Sequence, residues 1–382
     1  MSLDFKPSLQ HQAAVKLALT VYNDDIMHFL DQLNPKKDYK VVDPYNFNMK
    51  EERWIKNSIQ KARKKLCKRL PKSLLNAVIH TLQPIVEDIN LWARDHFDII
   101  KHIEKSHYKN ILYWNSEGRI NRMKTAKQFI RNEKIEKRVR FYMACIYFLE
   151  NDVLNLWQSM TADEKQKIFD VKYNIAIIFW MEWLRGNEKS PWTQCVSEYA
   201  STSRLFRHLE PLSRIRVSSF FNELKWIYKL PVIQNLSPSR GHIDDLRLCY
   251  NLLDETERAI VLQTPSSLKY LLFCYLDWPL QSLFLDIINQ VKNYLDRQCY
   301  EYCLEHIVYT KVMRGMQDFN YLQLLRDLWC QIPETFKKGI ERRKFFPLVH
   351  AAMNYDESTN SLPIEELLKK FLFTDAVTGH SF

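Results

Sequence analysis

Three groups of residues in this 382-residue chain have types and spacings that could do chemistry. In Asp95 to His107 (DHFDIIKHIEKSH), Asp98 and His102 stand one helical turn apart, as do Glu104 and His107, so carboxylate and imidazole could share a face as metal ligands. A metal site needs three or four convergent ligands, however, and on a regular helix His96 and His107 point elsewhere. The segment therefore reads as a polar helix surface with local charge pairs. Cys299, Cys303 and His306 also fall on one helix face, but no second pair follows at zinc-like spacing, which favours core packing.

The third group is basic. Arg53 to Lys72 holds nine basic residues and no acid, and Arg119 to Arg140 holds nine basics with only Glu133 and Glu136. The chain's net charge of +10 is thus uneven: these segments carry +9 and +7, leaving about −6 for the rest. On a helical wheel Ile55, Ile59, Ala62, Leu66 and Leu70 face one way and Lys61, Lys64, Lys65, Lys68 and Lys72 the other, a basic amphipathic helix. Such a face suits phosphates, an anionic membrane surface or an acidic protein, or simply keeps the molecule soluble. The aromatics sit at core spacing and do not alternate with the basic residues as a stacking platform would.

Motifs for catalysis are missing. There is no GxSxG, HExxH, GxxxxGK or GxGxxG, and no QACxG or CGSCW surround for a cysteine. The acid pairs Glu51 with Glu52 and Glu87 with Asp88 are adjacent and point apart on a helix, which does not make a general acid and base couple. No cofactor is expected, and an enzyme would need a site assembled from distant residues.

The elements that must position these groups are helices. Six glycines in 382 residues, against a usual share of about 7%, leave few positive-φ positions for the tight turns of a sheet. A chain of this length should form two or more packed units or an elongated stack. Helix-turn-helix corners recur: Leu66, Leu70, Pro71, Leu74 and Val78 share offsets with Leu328, Ile332, Pro333, Phe336 and Ile340. Leu156, Met160, Thr161 and Ile168 repeat the pattern with Thr for Pro and Glu164 at the Leu74 position, and Ile260, Pro265, Leu268 and Leu272 repeat it in part. Trp157 and Trp329 precede two corners as Leu-Trp, and with Trp180, Trp183 and Trp226 they read as packing residues between helix pairs.

Arg140 to Tyr147 (RFYMACIY) echoes Lys269 to Leu276 (KYLLFCYL), each an aromatic run around one cysteine. The stretch Arg140 to Trp157 (RFYMACIYFLENDVLNLW) resembles the first-to-second helix of a degenerate ankyrin-like α-helical repeat, without the Thr-Pro-Leu-His signature. The resemblance covers the middle of the chain and implies binding rather than chemistry.

Breaks fall at 34–48, 115–118, 185–192, 235–242 and 354–363. They suggest an N-terminal helical region (1–118) with the basic helix 53–72, stacked helix pairs (119–353), and a linker, terminal helix and loose tail (354–382). The amino terminus lacks a signal-peptide pattern, the apolar windows near 173–184 and 270–291 are broken by charged residues, and the eight cysteines are scattered. An intracellular, cytoplasmic protein is expected.

The sequence thus reads as an all-α protein of roughly 16 to 20 helices, stacked in pairs into a curved, solenoid-like array that presents a surface to a protein partner. The alternative is a nucleic-acid or other polyanion binder using 53–72 and 119–140, with Lys61, Lys64, Lys65, Lys68, Arg119, Arg122, Lys127 and Arg131 as contacts. An enzyme with an unrecognised site is the second alternative.

Overall fold

A computed structural model describes residues 5–32, 59–64, 66–68, 70–100, 111–169, 174–186, 190–201, 214–236, 241–355 and 366–367; for 21–32, 73, 169 and 198–201 it describes the backbone alone. The chain is all-α, with no strand among the described residues; only two isolated bridges occur, Trp114 with Ile120 and Ile215 with Gly241. In order, the helices are α1 (Leu9–Gln32), a short stretch at 59–64, α2 (Lys72–Asp95), α3 (Phe97–Ile100), α4 (Arg122–Arg131), α5 (Lys137–Ile146), α6 (Glu150–Ser159), α7 (Ala162–Phe169), α8 (Ile175–Arg185) and α9 (Trp192–Ser201). There follow α10 (Trp226–Asn235), α11 (Asp245–Asn251), α12 (Glu255–Leu262), α13 (Pro265–Leu276), α14 (Phe284–Val291), α15 (Arg297–His306), a π-helical turn (Ile307–Val312), α16 (Tyr321–Gln331), α17 (Glu334–Ile340) and α18 (Phe346–Met353).

Two compact units emerge. The first comprises residues 1–41 and 84–270, the second 42–83 and 271–382. The break at 118 seen in the sequence lies inside the first unit, because the turn there is a local one: Gly118, at φ 89°, lets the chain double back so that Asn115 and Arg119 bond through their backbones. The tail beyond 355 lies outside the described residues except for helical 366–367.

Local chemistry explains the corners. At the first, Ala62, Leu66 and Val78 are buried around the exposed Pro71, and α2 starts one residue later. Between α6 and α7, Thr161 Oγ1 accepts from Glu164 N at 3.2 Å while Glu164 accepts from Thr161 N at 2.8 Å, a capping box. Between α16 and α17, Pro333 is the N-cap and Ile332 and Ile340 are buried on either side. Asp254 and Glu257 box the start of α12 in the same way.

The core of the first unit is aromatic. Trp92, Phe129, Phe141, Trp180 and Phe220 are fully buried, and Phe148 sits among Phe179, Trp180, Trp192 and Phe220, its ring 4.3 Å from that of Phe220. Phe148 takes φ 50°, a costly conformation for an aromatic residue, which this packing holds in place between α5 and α6. In the second unit Leu272, Phe284, Ile287, Leu304, Ile307 and Leu328 fill the interior. Each such side chain stabilises the fold by about 1.5 to 3 kcal/mol relative to exposure.

Candidate functional site

The basic helix of the second unit is amphipathic as its sequence requires. Lys61, Lys64 and Lys68 are exposed, with Ala62 and Leu66 buried behind them; Lys65 lies outside the described residues. In the first unit Lys127 and Arg131 are exposed on α4. The other two basic candidates behave differently. Arg119 is half-buried and pairs with Asp88 at 3.4 Å.

Arg122 corrects the sequence reading outright. It is 2% exposed and cannot serve as a surface contact, because it lies on the inward face of α4 with Thr125, Ala126, Phe129 and Ile130. Its guanidinium reaches Asp88 (3.4 Å) and Asp95 (3.3 Å) on α2, with Asp244 at 4.0 Å. Burial of two acids on one helix obliges a facing helix to supply cations, since an unpaired buried charge is prohibitively costly.

These pairs belong to a larger buried network. Asp88 also accepts from Ile120 N at 2.6 Å, and Asp95 takes Arg214 at 3.1 Å while its backbone carbonyl accepts from Arg214 N at 2.8 Å. Arg216 grips Asp244 with both terminal nitrogens, donates from its backbone to Ile146 O at 2.9 Å, and stands 3.4 Å from Asp245. Asp245 in turn accepts from the backbone of Val217, Ser218 and His242 at 3.0 to 3.1 Å. Gly241 allows this closeness: a Cβ there would come within 2.5 Å of Leu236 and 3.3 Å of Asp245. Four arginines and four aspartates thus tie α2, α4, the 214–219 segment and the start of α11 together with no net charge.

Three rings sit against the network. His96 Nδ1 is 2.6 Å from Trp92 O, an acceptor only, so Nδ1 carries the proton; Nε2 then accepts from the Tyr147 hydroxyl at 2.9 Å. His242 Nε2 donates to Arg214 O at 3.1 Å, and its ring packs edge-on to His96 and Tyr147 at 5.2 and 5.4 Å. Burial pushes His96 down to about 4 and His242 well below the usual imidazole range, so both are neutral at pH 7. Burial also raises the Tyr147 phenol, which keeps its proton. For Asp95 burial opposes ionisation, but the neighbouring Arg214 and Arg122 guanidinium groups help outweigh it and hold the carboxyl at about 2. Asp244, gripped by Arg216 and Arg122 against its own burial, lies well below the carboxylate range, while burial lifts Asp245.

The second unit has a smaller cluster. Lys311, buried on the π-helical turn, bonds Asp277 at 2.7 Å, with His306 Nε2 at 3.9 Å from the same oxygen and the His306 ring stacked on Phe273 at 4.2 Å. Nearby, Gln281 donates to Asp318 at 2.5 Å and to the Tyr321 hydroxyl at 2.8 Å.

The metal-ligand candidates resolve as follows. Asp95 and His96 are not on a polar surface but in the core network, while His102, Glu104 and His107 lie outside the described residues. Cys299, Cys303 and His306 are buried, as core packing requires, and no group of three or more His, Cys, Asp or Glu suited to a metal occurs among the described residues. The network left a legible signal that the motif search passed over. Asp88 and Asp95 interrupt the apolar stripe Leu82, Ile85, Ile89, Trp92 of α2, and Arg122 interrupts the stripe Ala126, Phe129, Ile130 of α4. The partners at 214–219 and 244–245 carry no such spacing. Neither a family model, nor a curated protein, nor a solved structure matches the chain.

Proposed function

We propose that the chain is a non-enzymatic interaction protein whose exposed basic faces engage an acidic protein partner. The observation that carries this reading is the sorting of charge. The interior groups of the first unit cancel, four Arg against four Asp, so that the surplus of +10 resides elsewhere, on side chains such as Lys61, Lys64, Lys68, Lys127 and Arg131. Within the described network of the first unit the cations are bound to carboxylates, and the neutral His96 and His242 each bond a backbone carbonyl. Apolar anchors behind the lysines fix the orientation of the basic face.

The same reading takes the helix pairs as copies of one unit. Trp157 and Trp329 are both half-buried, each just before its corner, and the residue eight places on lies over the ring in both: Lys165 at 4.9 Å and Lys337 at 5.6 Å.

Chromatography on polyglutamate, on immobilised double-stranded DNA and on heparin tests the proposal. Retention on polyglutamate that weakens in the Lys61/Lys64/Lys68→Gln variant supports it. Passage of the parent through polyglutamate with retention on DNA would transfer the role to a nucleic-acid binder, and passage through all three columns would end it.

A further inference from the structure

A second group of basic residues lies in the described part of the second unit, on α15 and in the turn after α17. Glu301 on α15 is buried, its side chain 4% exposed, yet it holds two surface arginines. Its Oε1 is 3.2 Å from Arg297 Nε, one turn earlier on the same helix, and its Oε2 is 3.2 Å from Arg343 Nε, in the turn after α17. Both arginine side chains are 53% exposed. The two guanidinium groups thus flank one carboxylate through their Nε atoms while both side chains stay half-exposed, with Arg297 Nη1 lying over Gly339.

Gly339 shows that this placement has a cost. A glycine inside α17 weakens the helix relative to alanine. Its missing Cβ would lie 2.8 Å from both Cδ and Nη1 of Arg297, so the arginine occupies the space that any other residue would fill. Lys338, Arg342 and Lys344 are exposed nearby in sequence, and Lys337 is engaged by Glu334 at 2.6 Å.

We propose that Arg297 and Arg343 form a clamp for a phosphomonoester carried by a protein partner. Two guanidinium groups on one carboxylate leave a net +1, and their outer nitrogens offer more donors than a carboxylate's two oxygens can use. A phosphomonoester brings three acceptor oxygens and a charge of about −1.5 to −2, which this pair and its basic neighbours balance. A phosphodiester carries one charge per repeat and calls for an extended stripe rather than one two-armed point. The clamp does not rest on the lysine face at 61–68, so either can fail alone.

The test uses the full chain and fluorescence anisotropy of a labelled degenerate peptide pool with one fixed phosphoserine, beside its serine twin and a labelled oligo-dT. The phosphopeptides are expected to bind at least tenfold tighter than the serine pool and to be displaced by inorganic phosphate. Arg297→Gln and Arg343→Gln should each lose tenfold or more. Gly339→Ala, which keeps every charge but displaces Arg297, should lose binding too; if it does not fold, Arg297→Lys should show the loss, since it keeps the charge without the fork. Lys61/Lys64/Lys68→Gln should bind as the parent does. Equal binding of the two peptide pools, unchanged binding in both arginine variants, or preference for oligo-dT would overturn the clamp.

Discussion

Arg122 and Lys127 carry the same charge on the same helix and have opposite fates, the one sealed between two aspartates and the other in solvent. Removing the buried charge should therefore matter far more. Arg122→Met leaves Asp88 and Asp95 short of a partner and is expected to cost about 3 kcal/mol, the lower end for breaking a buried pair, because Arg119 and Arg214 still serve the two acids. Lys127→Gln should leave the denaturant midpoint unchanged, and comparing the two midpoints checks the assignment. Histidine gives a second handle. Burial holds His96 down to about 4 when folded, against about 6.5 for an ordinary imidazole, so the unfolded chain binds the proton first. Its contribution, about 3 kcal/mol from that difference, is complete above pH 6.5 and is lost as the pH falls through 4. Asp95, at about 2 against 3.8, adds a loss at lower pH still, as it falls below 3.8. His96→Phe should flatten the fall in stability between pH 6.5 and 4, measured by urea unfolding across that range; an unchanged slope would refute the buried neutral imidazole.

At the scale of elements, the corners were legible because they depend on local chemistry: Pro and Thr at N-caps and apolar residues at fixed offsets act within a few residues of one another. Glu164, read only as occupying the Leu74 position, proved to close a capping box. Tryptophan roles were less legible, since helical spacing tells which face a ring shares and not how deep the neighbours cover it. Trp180 is fully buried, whereas Trp329 is half-buried against Phe346 at 5.0 Å with Lys337 above it. Trp329→Ala is accordingly expected to cost about 2 kcal/mol, below the 3 to 5 typical of an emptied core aromatic site that Trp180→Ala should reach. Thermal melts of the two variants order them, and an equal loss would contradict the difference in burial. The charge network was out of reach for a different reason: Asp95 meets Arg214 across 119 residues, and no local spacing encodes a contact of that range.

For the molecule as a whole, six glycines pointed to helix, and no strand occurs among the described residues, but charge summed along segments misled. The run 119–140 counts nine basics, and the fold takes Arg122 inside and pairs Arg119, leaving a thinner surface surplus there than the count implies. The central claim is that interior charge stabilises and exterior charge binds. Its most direct test is the salt dependence of polyglutamate affinity, measured by anisotropy for the parent and for Lys61/Lys64/Lys68→Gln at matched stability. The parent is expected to bind with an affinity that falls steeply as salt rises, and the variant to bind at least several-fold more weakly with a shallower dependence and an unaltered melting temperature. Equal affinity and slope in the two proteins, or a variant that loses binding only because it unfolds, would contradict the account.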